Sequence, residues 1–110
     1  MGYREGDRSG VVENLVYLEL RRRGYSVYVG KIGELEIDFI AEGPKGRAYV
    51  QVAYLFESQA TIDRELAPFK LVDDKYDCYI LSLDRHFGSD LGGVHRLNVI
   101  DFLLGARIFA

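Results

Sequence analysis

The clearest alternation of hydrophobic and polar residues lies between Glu34 and Tyr54. It predicts two β-strands, Glu34–Glu42 and Arg47–Tyr54, joined by the turn sequence Gly-Pro-Lys-Gly. In the first strand, one predicted face carries Leu35, Ile37, Phe39 and Ala41, and the other carries Glu36, Asp38 and Ile40. In the second strand, one face carries Val50, Val52 and Tyr54, and the other carries Tyr49, Gln51 and Ala53. If the strands pair as a hairpin, Asp38 and Gln51 lie near each other. Asp38 is therefore a candidate functional residue, although an exposed face of an antiparallel sheet also accommodates an acidic residue.

The chain before this hairpin predicts one helix and one strand. The helix begins after Ser9, the expected N-cap, and ends near Arg23, where Gly24 is the expected C-terminal stop. Aromatic and β-branched residues over Tyr25–Val29 predict a short strand. The segment Gly30–Gly33 then predicts a turn or a bulge.

The chain after the hairpin predicts a second helix, two strands and a terminal helical turn. These elements are expected over Ala60–Lys70, Asp77–Leu83, Val94–Val99 and Asp101–Leu104. Pro68 predicts a kink or an early end of the second helix, whose polar side is expected to carry Asp63, Arg64 and Glu65. The strand after this helix is expected to run parallel to a central strand. At the terminal turn, Ile100, Phe102 and Leu103 are expected to dock on the core. The order predicts a mixed α/β sandwich, with a helix on each side of a four- or five-stranded sheet.

Composition indicates a single globular domain. The chain has 110 residues, of which 48% are hydrophobic and 28% charged. We assign residues 1–9 to a flexible lead-in and residues 10–110 to the domain. A single cysteine, Cys78, is expected to be a small buried residue and leaves no internal disulfide. The sequence shows no signal peptide and no apolar run long enough to span a membrane. We therefore expect a cytoplasmic protein without a membrane partner.

The charge pattern argues mildly against non-specific nucleic-acid binding. The net charge is −3, and the cationic cluster is Arg21, Arg22 and Arg23. Cations at this position complement the dipole at the C-terminal end of the predicted first helix, and this explanation is favoured over contact with phosphate. His86 and His95 lie far apart in sequence and have no third ligand at an obvious spacing.

The predicted order αβββαβ carries a resemblance to the PD-(D/E)XK nuclease superfamily, whose fold is restriction-endonuclease-like. Three segments, Glu13–Glu42, Tyr49–Phe56 and Cys78–Asp84, more closely resemble a domain of unknown function. That domain lies at the C-terminal end of archaeal and bacterial AAA-type ATPases. The resemblance extends from about Gly10 to Gly105. It implies that an ATPase core is a partner in the same polypeptide.

The resemblance implies a site at four positions. Glu13 matches a helix glutamate that orients metal-bound water, and Asp38 matches the first carboxylate ligand of a divalent metal, Mg or Mn. Gln51 occupies the position of the second acidic ligand, and Ala53 occupies the position of the lysine. A hard cation with oxygen ligands neutralises phosphate and activates water, and the lysine stabilises developing negative charge. An amide is a weaker ligand, and losing the lysine typically slows such chemistry by about 10²–10³.

Several alternatives remain open at the sequence level. Lys31 or Arg64 could replace the missing cation, and Glu36 could add a ligand. Glu13 could instead be an exposed residue favoured by the helix dipole. The chain contains no Walker A motif, so we expect no ATP site within it.

The first functional hypothesis is a catalytically degenerate module that binds DNA or a partner, or communicates with the ATPase core. The second is an active Mg- or Mn-dependent nuclease that uses Asp38, Gln51 and Glu13. The third is a protein-interaction or dimerisation module that forms a homo-oligomer through the apolar residues of Ile100–Ala110.

Overall fold

A computed structural model describes residues 5–44, 46–55, 58–72, 76–84 and 93–106, with only the backbone described over residues 5–9. The helices are α1 (Glu5–Arg22), α2 (Gln59–Leu66), a 3₁₀ helix (Ala67–Leu71) and α3 (Val99–Leu103). The strands are β1 (Ser26–Ile32), β2 (Leu35–Gly43), β3 (Gly46–Val52), β4 (Asp77–Ser82) and β5 (His95–Asn98). None of the helices in these ranges is long and apolar enough to cross a membrane.

The five strands form one mixed sheet in the order β1-β2-β3-β4-β5. The first three strands pair antiparallel, as expected for strands joined by short turns, whereas β3, β4 and β5 pair parallel. The helical segment between β3 and β4 supplies the crossover that parallel pairing needs. The predicted α/β class, the order of elements and the parallel strand after α2 are confirmed.

Each face of the sheet has its own hydrophobic core. On one face, the buried residues of α1 and α3 pack with those of the strands: Val12, Val16, Leu20, Ala41, Ala48, Val50, Val52, Tyr79, Leu81, Val99 and Phe102. On the other face, a residue of the 3₁₀ helix packs with strand residues and Val94: Ile37, Ile40, Tyr49, Phe69, Ile80 and Val94. The sheet is therefore covered on both sides.

The ends of α1 test two sequence predictions. The helix begins at Glu5, so the prediction that Ser9 is its N-cap is wrong, and residues 1–4 of the expected lead-in lie outside the described residues. Gly24 ends the helix as predicted, with a φ of 93°. The amide of Gly24 bonds to the carbonyl of Arg21, and the amide of Tyr25 bonds to the carbonyl of Leu20. These two bonds form a Schellman motif, which satisfies carbonyls left free at the helix end.

The predicted faces of β2 are wrong for half of the strand, because the β1–β2 ladder contains a bulge. Tyr28 pairs with Ile40 and Gly30 pairs with Ile37, so one residue of β1 faces two residues of β2. Ile37 and Ile40 consequently share the α2 side of the sheet, whereas Phe39 packs on the α1 side. The predicted faces of β3 are confirmed for Val50 and Val52, which pack on the α1 side, and for Tyr49, which packs on the other side.

The C-terminal elements begin and end close to the predicted residues. Ser58 caps α2 by accepting a bond from the amide of Thr61, and the helix changes to 3₁₀ geometry next to Pro68, as its lack of an N–H group predicts. In α3, Phe102 is buried, but the prediction that Ile100 docks on the core is wrong, because its side chain is exposed.

Candidate functional site

The β2 and β3 strands separate at Asp38 and Gln51, and these two side chains bridge the gap. Backbone pairing between the strands ends at Phe39 and Val50. The Asp38 amide instead donates to Gln51 Oε1 at 2.7 Å, and the Val52 amide donates to Asp38 Oδ2 at 2.8 Å. Buried backbone amides need such partners. The predicted proximity of Asp38 and Gln51 is therefore found, and both side chains take over backbone pairing.

Gln51 also connects the sheet to α2. Its side chain is buried, and Nε2 donates to the carbonyl oxygen of Glu65 at 3.2 Å. The Glu65 carboxylate lies 3.5 Å from the same nitrogen. The amide of Gln51 thus has protein partners on both its oxygen and its nitrogen.

Three carboxylates lie close enough at this point to influence one another's protonation. Burial, followed by the charge of Asp38, raises the pKa of Glu13 on α1. Burial also raises the pKa of Asp38, an effect that the Val52 amide opposes and the charge of Glu36 reinforces. Burial and the charge of Asp38 raise the pKa of Glu65 to about 7. We refer to these three residues, Glu13, Asp38 and Glu65, as the carboxylate cluster.

Glu65 is the member of the carboxylate cluster that the sequence pattern missed. The pattern placed it on the polar side of the second helix, but its side chain is partly buried against the strands. One weak signal was present, because Glu65 lies three residues after Ile62 and therefore borders the apolar stripe of α2. Nothing in that spacing indicated Asp38 as its neighbour.

Among the residues that the structure describes, neither Lys31 nor Arg64 occupies the position of Ala53, where the resemblance implies a lysine. Ala53 is buried, and its amide donates to the carbonyl of Leu81 at 2.8 Å. Lys31 lies within β1 opposite Glu36, rather than on the predicted loop, and it is exposed. Arg64 is also exposed, but its charge lowers the pKa of Glu65, so it is a cation beside the carboxylate cluster.

The residues at the site do not fit a divalent metal ion in this arrangement. Among the described residues, no three Asp, Glu, His or Cys side chains are grouped closely enough to hold one. Gln51 Oε1 and one oxygen of Asp38 already accept hydrogen bonds from backbone amides. His95 is elsewhere, with Nε2 3.8 Å from Asp77 Oδ1, and His86 lies outside the described residues.

Two arginines of the cationic cluster have structural partners. Arg22 and Arg23 both bind the carboxylate of Glu19, which is buried. The hydrogen bond from Arg22 makes the largest contribution to lowering the pKa of Glu19, to about 2. Arg23 also donates to the carbonyl oxygens of Phe102 and Ala106, at 2.6 and 2.7 Å, and so connects α1 to the segment around α3.

Comparison with known proteins finds a clear similarity in sequence. The chain is 34% identical over 104 residues to an uncharacterized protein of Haemophilus influenzae. The match covers 94% of this chain but only 25% of that protein, so the chain spans a quarter of the relative's length. No protein-family model matches the chain.

Proposed function

We propose that this chain is a catalytically degenerate nuclease-like module that binds DNA or a protein partner without efficient cleavage. In this proposal the fold is restriction-endonuclease-like, and the module belongs to the C-terminal end of an AAA-type ATPase. The order of helices and strands and the resemblance to PD-(D/E)XK nucleases support it. The two antiparallel strands that diverge at Asp38, next to a parallel crossover, are compatible with that fold.

One observation carries the proposal: Gln51 is not an acidic side chain and Ala53 is not a cation. A nuclease of this kind needs a second anionic metal ligand and a cation at these two positions. Here Gln51 is a neutral side chain bonded to Asp38 and Glu65, and Ala53 is buried between strands. Because both positions have structural roles, the hairpin geometry is retained without the groups that would hold a metal and stabilise a transition state.

The length of the related protein is compatible with a module that forms part of a longer chain. The related protein of Haemophilus influenzae is about four times as long as the matched segment, since 104 residues make up 25% of it. A module of this kind therefore occurs there as part of a longer chain. The single cysteine, Cys78, is compatible with a cytoplasmic setting.

An active nuclease is the second candidate, and Glu65 is the observation that favours it. With Glu13 and Asp38, Glu65 gives the site three carboxylates, and Arg64 places a cation beside them. A movement of α2 could bring these groups into a ligand set different from the expected one. The third candidate, an interaction module, is favoured by the exposed side chains of Ile100 and Leu104, although residues 107–110 lie outside the described residues.

Binding and cleavage measured in one experiment distinguish these candidates. Labelled single-stranded, duplex and branched DNA is titrated with the chain, with and without Mn²⁺, and the products are separated on a gel. Asp38→Asn tests the site. Asp63→Asn is the matched control, because Asp63 is an exposed acidic residue of α2 that bonds to Gln59.

The proposal predicts binding of DNA without cleavage, or neither binding nor cleavage if the ligand is a protein. Mn²⁺-dependent cleavage that Asp38→Asn abolishes and Asp63→Asn preserves would overturn it in favour of the active nuclease. If neither binding nor cleavage is seen, retention of a separately expressed ATPase core would support the partner-binding form of the proposal. Absence of such retention as well would contradict that form.

A further inference from the structure

The outward side of α1 carries an apolar stripe that the described part of the chain leaves uncovered. Its members are Val11, Leu15 and Leu18, whose side chains are 53%, 42% and 53% exposed. They are spaced by four and three residues, so they lie in one line along the helix, and Arg22 continues this line. This 4-3-4 spacing is that of the contact positions of a coiled coil. Val11, Leu15 and Leu18 are named the α1 stripe.

One flank of the α1 stripe carries different polar groups at its two ends. Asn14 lies beside the N-terminal half of the stripe and Arg21 beside its C-terminal half, and both are exposed. Because they are seven residues apart, they flank the contact line at equivalent positions on the same side. The Asn14 carboxamide offers an acceptor oxygen, and the Arg21 guanidinium offers donors. An antiparallel neighbour with the same sequence would pair each Asn14 with an Arg21, whereas a parallel neighbour would place the two Arg22 side chains, which lie in the contact line, opposite each other.

A second apolar surface lies next to the C-terminal end of α1. Arg23 donates to the carbonyl oxygens of Phe102 and Ala106, so α3 lies beside that end of the helix. Ile100 lies in α3 and Leu104 directly follows it, and their side chains are 49% and 82% exposed. In an antiparallel pair of α1 helices, the C-terminal end of one meets the N-terminal end of the other. The C-terminal end of α1, including Arg22, would therefore lie near Val11 of its partner.

The size of this surface is near the lower limit for a specific interface. The α1 stripe consists of three side chains that are each about half exposed, and such a patch does not exceed the largest apolar patch of a typical monomer, which measures about 300–600 Å². Stable interfaces bury about 800 Å² per partner, including a polar rim. Asn14, Arg21 and Arg22 are exposed and supply such a rim. The area therefore suits a weak dimer, for which we expect a dissociation constant in the micromolar range or weaker.

We propose that the α1 stripe binds the α1 stripe of a second copy of this chain, with the two helices antiparallel about a two-fold axis. Leu15 then packs against the partner's Leu18, and the aliphatic part of Arg22 covers the partner's Val11. Two symmetry-related pairs of Asn14 and Arg21 flank this contact. In a two-fold interface the same surface of both copies forms the contact. The 4-3-4 spacing meets this requirement, because the order of its intervals is the same along either direction of the helix. This inference does not depend on the proposed function, since the stripe contains none of the residues of the carboxylate cluster.

Changes of charge at position 14 test the antiparallel pairing directly. Sedimentation equilibrium is measured for the 110-residue chain, for Asn14→Glu and for Asn14→Arg. Asn14→Glu places opposite charges in both symmetry-related pairs, so we expect it to strengthen dimerisation by about threefold or more. Asn14→Arg places like charges in both pairs and is expected to weaken dimerisation by a similar factor.

A double variant shows whether Arg21 is the partner of position 14. When Asn14→Arg is combined with Arg21→Glu, opposite charges are restored in both pairs. This variant is therefore expected to dimerise about threefold or more tightly than Asn14→Arg alone. An equimolar mixture of the two single variants, Asn14→Arg and Arg21→Glu, is expected to form a heterodimer in preference to the Asn14→Arg homodimer.

Two apolar substitutions separate the α1 stripe from other exposed apolar residues. Leu18→Gln is expected to weaken dimerisation, and Val29→Thr is the control, because Val29 is 69% exposed on β1. A chain that remains monomeric at millimolar concentration would overturn the proposal. Dimerisation that does not respond to the charge at position 14, or that Val29→Thr removes, would also overturn it by placing the interface elsewhere. Circular dichroism confirms that each variant is folded.

Discussion

Replacing Glu65 with glutamine is predicted to stabilise the fold at high pH and to have little effect at low pH. The pKa of Glu65 is raised from the ordinary value of 4.5 to about 7, because the carboxylate is partly buried and lies near Asp38. Between these two values the folded chain holds a proton that the unfolded chain releases. The stability of the original chain therefore falls as the pH rises from 4.5 toward 7 and then levels off.

The magnitude follows from the size of this shift. A pKa shift from 4.5 to about 7 lowers the free energy of unfolding at high pH by at most about 3 kcal/mol. Because Glu65 is partly exposed, solvent screening reduces this loss to about 1–2 kcal/mol. Glutamine has nearly the same shape as glutamate but carries no charge. Glu65→Gln is therefore expected to raise the free energy of unfolding by about 1–2 kcal/mol at pH 8 and to leave it almost unchanged at pH 4.5.

Urea unfolding followed by circular dichroism at pH 4.5 and pH 8 measures this difference. Asp63→Asn, which removes an exposed charge from the same helix, is the control and is expected to show little dependence on pH. If Glu65→Gln changed the stability equally at both pH values, or destabilised the chain more at pH 8, the assignment of Glu65 to the carboxylate cluster would be refuted.

Three other substitutions test the contacts that hold the fold, each by urea unfolding. Arg23→Ala removes the bonds from α1 to Glu19 and to the α3 segment, and is expected to destabilise the chain by about 2–4 kcal/mol; a loss below ~1 kcal/mol would contradict this role. Gln51→Leu leaves a backbone amide of β2 unpaired and is expected to cost about 1–3 kcal/mol, and an unchanged midpoint would contradict the importance of that bond. Gly30→Ala would place a Cβ 2.3 Å from the Cδ1 atom of Ile40, so a loss of about 1–3 kcal/mol is expected, and an unchanged midpoint would argue against the packing at the bulge.

The sequence predicted the fold well where one local pattern determines the structure. Alternation placed the side chains of β3 correctly, because that strand continues without a bulge. The same rule failed in β2 between Ile37 and Ile40, since one extra residue reverses every face beyond it. Gly30, which lies against Ile40, indicates a possible bulge, but its effect on the opposite strand cannot be read from alternation.

The candidate site was predictable only in part, for a related reason. The proximity of Asp38 and Gln51 follows from the register of a hairpin, which the turn sequence indicates. The approach of Glu65 depends on how α2 packs on the sheet, which is decided by tertiary contacts that no local pattern records. From sequence alone, Arg23 is explained by the helix dipole, whereas its partners in the fold include a carbonyl of Ala106, 83 residues later in the chain.

Manganese binding tests most directly whether Gln51 prevents the proposed site at Asp38 from holding a metal ion. Free Mn²⁺ is measured by electron paramagnetic resonance during titration of the original chain, Asp38→Asn, Gln51→Glu and the combination of these two substitutions. We expect no specific binding by the original chain up to millimolar Mn²⁺, binding by Gln51→Glu, and loss of this binding in the combined variant. Stoichiometric, submillimolar binding by the original chain that Asp38→Asn abolishes would contradict the account and identify a working metal centre.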